Sequence, residues 1–222
     1  MKQATDIKIL VLCEESQTVL KEFRDRGFDA WSCDIQDPSH PDTYYHQYHI
    51  KGDALDVLQR EHWDAVIAFP PCTYLSNAGA QLMYSKHSDY TISGRGVVQA
   101  RYDKAMEAKQ FFTAILNCAA RYVMVENPKP LRVVDLPKYT QIIQPYEYGH
   151  NYSKMTMLWL RGLPLLIPTH SKMQDKYPSY TAMYRNPKKR STFHTGIARA
   201  IASQYGQYIL STINKQKEQP CL

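Results

Sequence analysis

The sequence predicts an α/β protein, a single domain over residues 1–222 in which a mostly parallel sheet is flanked by helices. Three observations predict it. Short strand-like runs alternate with helical stretches over the first 125 residues, the pattern of βαβ units. The first run is aliphatic throughout, as a strand buried in a parallel sheet is. Polar, thiol and proline residues fall at the carboxyl ends of the runs, the edge at which open parallel sheets bind ligands.

Ile7 to Leu12 reads as the first strand. Ser16 is placed to cap a helix carrying Val19, Leu20 and Phe23 and closing at Gly27. Phe28 to Asp34 is a second strand ending on a carboxylate, and residues 36–48, rich in Asp, Pro, His and Tyr, read as an irregular loop. Gly52-Asp53 precedes a short helix from Ala54 to Arg60. Trp63 to Phe69 is the next strand, stopped by Pro70-Pro71.

Residues 73–98 show no clear period and read as a long loop, a type that tends to be functional or mobile. Arg101 to Ala120 has helical character, with Ala105, Ala108, Phe112, Ile115 and Leu116 on one side. Tyr122 to Val125 is a strand running directly into Glu126-Asn127-Pro128. Tyr139 to Tyr148 and Met155 to Leu160 read as two further strands, and residues 164–193 as irregular. Thr195-Gly196 opens a last helix through Ile197, Ala200, Ile201, Tyr205, Tyr208 and Ile209, and the chain from Asn214 reads as a frayed polar tail.

A formal net charge of +6 is compatible with a polyanionic partner but does not require one. Five cysteines, Cys13, Cys33, Cys72, Cys118 and Cys221, include no CxxC pair, which argues against a zinc site and a disulfide scaffold, so no metal is expected. No apolar run approaches transmembrane length and the start Met1-Lys2-Gln3 lacks a signal-peptide core, so a soluble cytoplasmic protein is expected.

Cys72 is the first candidate for chemistry. Two prolines fix the backbone before it and aim its thiol from a rigid strand end, and a nucleophile needs a defined direction as well as a thiolate. Glu126 follows an apolar strand, where burial favours its protonated form and suits it to donate a hydrogen bond. Asn127 and Pro128 would hold the turn. Asp34 is placed to bind ribose hydroxyls and Asp53 to accept from an adenine amino group. The plainer readings are a buried loop cysteine, a carboxylate meeting solvent and a helix N-cap at Asp53.

Phe69-Pro70-Pro71-Cys72 and Glu126-Asn127-Pro128, in that order with one long helix between them, resemble the paired catalytic motifs of cytosine-C5 DNA methyltransferases. Gly52-Asp53 resembles the family's third cofactor motif and Asp34 its acidic second-strand end. The chain is most similar to the short phage- and prophage-associated members. That likeness is carried by Cys13-Glu14-Glu15-Ser16-Gln17, by Pro70 to Gly79, by Lys154 to Leu160 and by Gly196-Ile197-Ala198.

The resemblance implies a Rossmann-like class I methyltransferase fold and S-adenosylmethionine as cofactor, held by Cys13, Glu14, Ser16, Asp34, Ile35, Asp53, Ala54 and Pro70. It implies a covalent mechanism on cytosine in which Cys72 attacks and Glu126 holds the ring, supported by Asn127. It implies DNA, duplex or single-stranded, as partner, met by Ser76, Asn77, Arg95, Arg101, Lys154, Thr156, Lys188, Lys189 and Arg190. Residues 73–98, which also hold Lys86 and His87, would close over an extruded base. A phage role such as protecting DNA from restriction follows from the same likeness.

Two departures stand out. The family's first-strand loop is glycine-rich, whereas Cys13 to Thr18 contains no glycine. In place of a large recognition domain there is only segment 164–193, whose Lys172, Lys176, Arg185 and Tyr177, Tyr180 and Tyr184 suit phosphate contact and base stacking. Lys154 and Thr156 stand in for a Gln-x-Arg-x-Arg motif. The sequence therefore leaves three readings: a DNA cytosine-C5 methyltransferase, the same site acting on RNA, single-stranded DNA or a free pyrimidine nucleotide, or a non-catalytic nucleic-acid-binding protein. A cytidine deaminase is disfavoured, since its His-x-Glu and Pro-Cys-x-x-Cys signature is missing.

Overall fold

The computed structural model describes residues 1–84, 90–92, 95–172, 174, 176–183 and 193–218. Seven strands form one sheet: β1 (Lys8–Leu12), β2 (Asp29–Asp34), β3 (His49–Lys51), β4 (Ala65–Ala68), β7 (Tyr122–Pro128), β8 (Gln141–Ile143) and β9 (Thr156–Arg161). A separate antiparallel pair, β5 (Tyr90–Ile92) and β6 (Arg95–Val97), precedes the long helix. The sheet order is β3-β2-β1-β4-β7-β9-β8. All pairings among β1, β2, β3, β4 and β7 are parallel, and β9 alone runs against its neighbours β7 and β8. The expected Rossmann-like, mostly parallel α/β fold is therefore present.

Both faces of the sheet are covered, which is why its central strands carry almost no polar residues. Ile9 and Val11 of β1 and Ile67 of β4 face a core shared with Val19, Leu20 and Phe23 of α1 (Thr18–Arg24) and with the last helix, where Ile197, Ile201 and Tyr205 are buried. Leu10 and Leu12 of β1 and Val66 of β4 face the other core, which contains Val57 of α2 (Ala54–Arg60). Two further helices are the short α3 (Ala80–Met83) and the long α4 (Gln99–Leu116), whose Ala105, Phe112 and Ile115 complete that second core. A short α5 (Tyr180–Met183) precedes α6 (Thr195–Glu218).

Several expectations are corrected. Strand β3 lies inside the stretch next to the expected loop, which itself contains a 3-10 helix, Thr43–Tyr48. The segment 73–98 is not wholly irregular: it holds α3 and the β5–β6 pair. The expected strand from Tyr139 to Tyr148 shrinks to β8, because Pro145 starts a 3-10 turn and cannot donate to a ladder. The tail from Asn214 is helical through Glu218, and the Asn214 amide is held at both ends by the backbone of Lys2, accepting at 2.6 Å and donating at 3.0 Å. No helix among the described residues is long and apolar enough to cross a membrane.

Candidate active site

Parallel pairing of β4 with β7, in register from Ala65↔Tyr122 to Ala68↔Val125, brings Cys72 and Glu126 out at the same edge of the sheet. Strand β9 runs the opposite way, so its beginning lies at that edge, and Lys154 just before it joins them. The three side chains are electrostatically linked. Burial pushes the Glu126 carboxyl up to about 7 against the opposing pull of Lys154. Burial, and then Glu126, push the Cys72 thiol up, while Lys154 and a hydrogen bond from Ser76 work the other way. Burial lowers the Lys154 ammonium, which Glu126 and Cys72 pull back up. At neutral pH the arrangement thus holds a resting thiol and a carboxyl that exchanges a proton readily, both linked electrostatically to Lys154.

The loops after Cys72 and Glu126 are joined backbone to backbone. Asn77 N–H donates to Lys129 C=O at 2.7 Å and Leu131 N–H to Leu75 C=O at 2.7 Å, with Ser76 bridged to Pro130. The Cys72 carbonyl accepts from the N–H groups of Leu75 and Ser76, a tight turn that fixes the thiol's backbone. Asn127 is wholly buried; its amide donates to Pro128 C=O at 2.6 Å, and its Oδ1 has no hydrogen-bond partner among the described residues. It braces the turn, as expected from its place beside Pro128.

The structure turns four expected nucleic-acid contacts inward. Ser76 is buried and serves Cys72. Thr156 is buried, and its hydroxyl donates to Lys154 C=O at 3.1 Å, fixing the backbone that carries the lysine. Arg101 Nη2 donates to Thr73 C=O at 2.8 Å and its guanidinium lies 4.9 Å from the Tyr74 ring centre, so it clamps the Cys72 loop. Lys154 itself is partly buried beside Cys72 and Glu126 rather than on an outer face. Asn77 and Arg95 are exposed, Arg95 above the Tyr84 ring. Lys86, His87, Tyr184, Arg185, Lys188, Lys189 and Arg190 lie outside the described residues.

The expected cofactor residues divide in two. Cys13, Asp34 and Asp53 come together at the ends of β1 and β2 and the start of α2, close enough that burial and then the two carboxylates, with Cys33, push the Cys13 thiol up to about 12. Beyond Asp34, Ile35 is 73% exposed, an apolar surface at the strand end. Pro70 is buried beneath the Cys72 turn. Asp53 also caps α2, its Oδ1 accepting from Leu55 N–H at 2.8 Å and Asp56 N–H at 3.3 Å. Ala54 packs into the core.

The cap of α1 comes from Glu14 and not from Ser16. Ser16 does not cap α1; its hydroxyl meets Thr18 Oγ1 at 3.1 Å. Glu14, 3% exposed, accepts from Val19 N–H at 2.5 Å and Leu20 N–H at 3.1 Å. Its carboxyl, pushed up to about 8 by burial against those hydrogen bonds, serves as a helix cap. The loop nonetheless follows a glycine-like path: Cys13 and Gln17 both take left-handed backbone conformations, with φ of 58° and 54°. Gln17 is anchored there by its amide, which donates to Tyr45 C=O at 2.8 Å and Ser32 Oγ at 3.1 Å.

Fold and site together define a Rossmann-like α/β protein with a cysteine, a carboxyl and a lysine gathered at the carboxyl edge of its sheet. No protein-family model and no curated protein matches the chain. Among solved structures it is similar to a protein described as a DNA modification methyltransferase encoded within an E. coli prophage (14% identity, 82% of this chain and 55% of that one, TM-score 0.43). It is similar also to the Entamoeba histolytica methyltransferase EhMeth (14%, 81% and 58%, TM-score 0.46) and to S. pombe Dnmt2 methyltransferase (12%, 75% and 51%, TM-score 0.36). The chain spans little more than half the length of these proteins, and at TM-scores below 0.5 the likenesses carry no argument for its chemistry.

Nothing in the sequence singles out His150, Tyr152 or His194, yet they cluster with Tyr180, expected to suit base stacking, beside Lys154. Ring centres of Tyr152 and Tyr180 are 4.7 Å apart, those of Tyr180 and His194 are 4.9 Å apart, and Lys154 Nζ lies 5.6 Å from the Tyr180 ring centre. These residues come from three segments that only the fold joins, so no spacing announces them. The sequence signals nearby are Tyr180 and Gly196.

Proposed function

We propose that this protein transfers a methyl group to carbon 5 of cytosine in DNA through a transient covalent bond to Cys72. The observation that carries this reading is the pairing of Cys72 and Glu126 at adjacent strand ends, with Lys154 linked to both. Carbon 5 of cytosine is a weak nucleophile, and a bond from sulfur to carbon 6 makes it an enamine carbon. Lys154 favours the thiolate needed for that attack. Glu126, protonated up to about pH 7, donates to the ring nitrogen, so the electron pair pushed into the ring is not left as a bare charge. Once carbon 5 carries the methyl group it loses its proton, the sulfur–carbon 6 bond breaks and the thiolate returns.

S-adenosylmethionine, when bound, would supply the methyl electrophile. The residues present fit it: Asp34 and Asp53 converge on Cys13, and the exposed Ile35 offers an apolar face beside them. Asp34 would hold ribose hydroxyls and Ile35 would pack on the adenine. Such a mark, made in a bacterial or phage-infected cell, would shield DNA from restriction.

The test is incubation of the protein with labelled S-adenosylmethionine and cytosine presented as duplex DNA, single-stranded DNA, RNA and mononucleotide. Label on carbon 5 that disappears in Cys72→Ser is expected, with DNA preferred. Label on RNA or the mononucleotide instead would reassign the substrate, and no transfer to any of the four overturns the reading. DNA containing 5-fluorocytosine should trap a covalent adduct at Cys72, because fluorine blocks the last elimination.

A further inference from the structure

Two arginines that the proposed reaction does not use line one cavity. It has a volume of about 290 Å³, and its lining is Tyr84, Ile92, Arg95, Arg132 and Val133. The walls come from two segments. The one that follows Cys72 supplies Tyr84, Ile92 and Arg95, and the one that follows Glu126 supplies Arg132 and Val133. The backbone seam behind the candidate active site also joins these walls: Leu131 N–H donates to Leu75 C=O at 2.7 Å, and Arg132 comes next in the chain. This ties the cavity to the sheet edge at which Cys72 and Glu126 emerge.

The core anchors both walls. Met83, Val97, Leu131 and Val134 are buried, and Tyr84, Ile92 and Val133 pack against the same cluster. Val98 N–H donates to Met83 C=O at 3.0 Å, which closes the β5–β6 pair onto α3. The charges, by contrast, are not neutralised from within. Asp135, the acid nearest to Arg132 in sequence, takes a left-handed backbone conformation (φ 54°) and places its carboxylate 3.8 Å from Lys109 Nζ. Among the described residues no carboxylate lies within ion-pair distance of Arg95 or Arg132. Arg95 instead lies over the Tyr84 ring, 5.9 Å from its centre. Two guanidiniums held at one cavity without an acid repel each other, and an entering anion relieves that repulsion.

We propose that this cavity holds a nucleotide flanking the target cytosine on the same strand, its base against Tyr84 and its phosphate on Arg95 and Arg132. This rests on the reading of the substrate as DNA and names where the strand goes once it leaves Cys72. The lining carries both halves of the chemistry a nucleotide needs. The Tyr84 ring, with Ile92 and Val133 beside it, offers an apolar slot for a planar base. Guanidiniums match phosphate oxygens in pairs. A bare inorganic anion would leave the aromatic and aliphatic walls unused. Stacking on a ring is open to every base, so the cavity positions the strand without reading its sequence.

The experiment measures binding of the full chain to a short single-stranded oligodeoxynucleotide carrying one cytosine, from which each neighbouring base is removed in turn with its phosphate left in place. No methyl transfer is required. One abasic position near the cytosine should weaken binding about tenfold, the usual worth of one stacked base. Tyr84→Leu, which keeps apolar bulk and loses the ring, should weaken binding of the intact oligonucleotide by a similar factor and show no further loss at that position. Tyr84→Phe should bind as the natural protein does. Arg132→Gln should weaken binding of every oligonucleotide and lower the slope of log affinity against log salt by about 0.7, the share of one phosphate on a single strand. Melting temperatures establish that each variant is folded.

Equal weakening at every abasic position, or a Tyr84→Leu profile identical to that of the natural protein, overturns the proposal. So does an unchanged salt slope in Arg132→Gln. A deoxynucleoside monophosphate that occupies the cavity as tightly as the oligonucleotide would make it a site for a free nucleotide and also overturns the flanking role. No binding to any oligonucleotide overturns both that role and the DNA substrate. Coupling of Tyr84 to one position without methyl transfer to cytosine supports the cavity's role and removes the proposed reaction. Methyl transfer to DNA without such coupling does the reverse.

Discussion

Arg101 Nη2 donates to the carbonyl oxygen of Thr73 at 2.8 Å, so the residue next to Cys72 is tied to the long helix α4. Under the proposed mechanism this contact would orient the nucleophile Cys72 through its backbone. Arg101→Met is expected to lower single-turnover methyl transfer by about 10- to 100-fold, the scale set by small misplacements of reacting groups, while lowering stability by only about 1 kcal/mol. A Cβ at Gly79 would lie 2.5 Å from the same Nη2. Gly79→Ala should therefore reproduce the defect, and the double variant should be no worse than either single one.

Lys154 opposes the burial that holds the Cys72 thiol up. Lys154→Met removes that opposition, so the pH at which Cys72 becomes reactive should rise. The rate of alkylation of Cys72 by iodoacetamide, followed against pH, checks this: the variant's profile should shift to higher pH. A profile unchanged by the substitution would mean that the lysine does not set the thiol's ionisation.

Glu126 has its proton held to about pH 7 in the folded chain, against an ordinary value of 4.5. The folded state therefore binds more protons than the unfolded one between those values. Stability is lost as pH rises through that window and levels off above it. Glu126→Gln cannot ionise, so its melting temperature should gain on the natural protein from about pH 4.5 to pH 7, a difference of about 1–3 kcal/mol at the upper end. Its methyl transfer should fall sharply at every pH.

Glu14 pairs the buried N–H groups at the start of α1 that have no partner within the helix. Glu14→Ala is expected to cost about 1–2 kcal/mol in chemical denaturation, the usual worth of a helix cap, and Glu14→Gln less. Calorimetric binding of S-adenosylmethionine should change little in Glu14→Gln. A large loss of affinity in that variant would return the residue to the cofactor site.

The strands and helices legible in the sequence were those with several apolar residues and a clear stop. Helix α2 was read to its ends because Asp53 marks one and Arg60 the other. Strands β3, β5 and β6, of three residues each, carry no period at all. Cys72 and Glu126 were legible because prolines and an apolar strand mark them, whereas Lys154 was marked by a motif but expected at the nucleic-acid surface. Side-chain direction was not. Glu14, Ser76, Arg101 and Thr156 are polar residues at an expected ligand edge, and only the packed structure reveals that each is spent on a neighbour. The cluster of His150, Tyr152 and His194 lay beyond reach, since it is assembled from separate segments.

The backbone seam between residues 75–77 and 129–131 has a mechanical consequence. The segment that follows Cys72 and the segment that follows Glu126 are held together, because each is the other's hinge stop. A base entering this edge meets sulfur and carboxyl at a fixed spacing, or meets neither. Adaptation to differing bases or strands must then come from elements outside that seam, which leaves the reacting pair rigid while the surroundings vary.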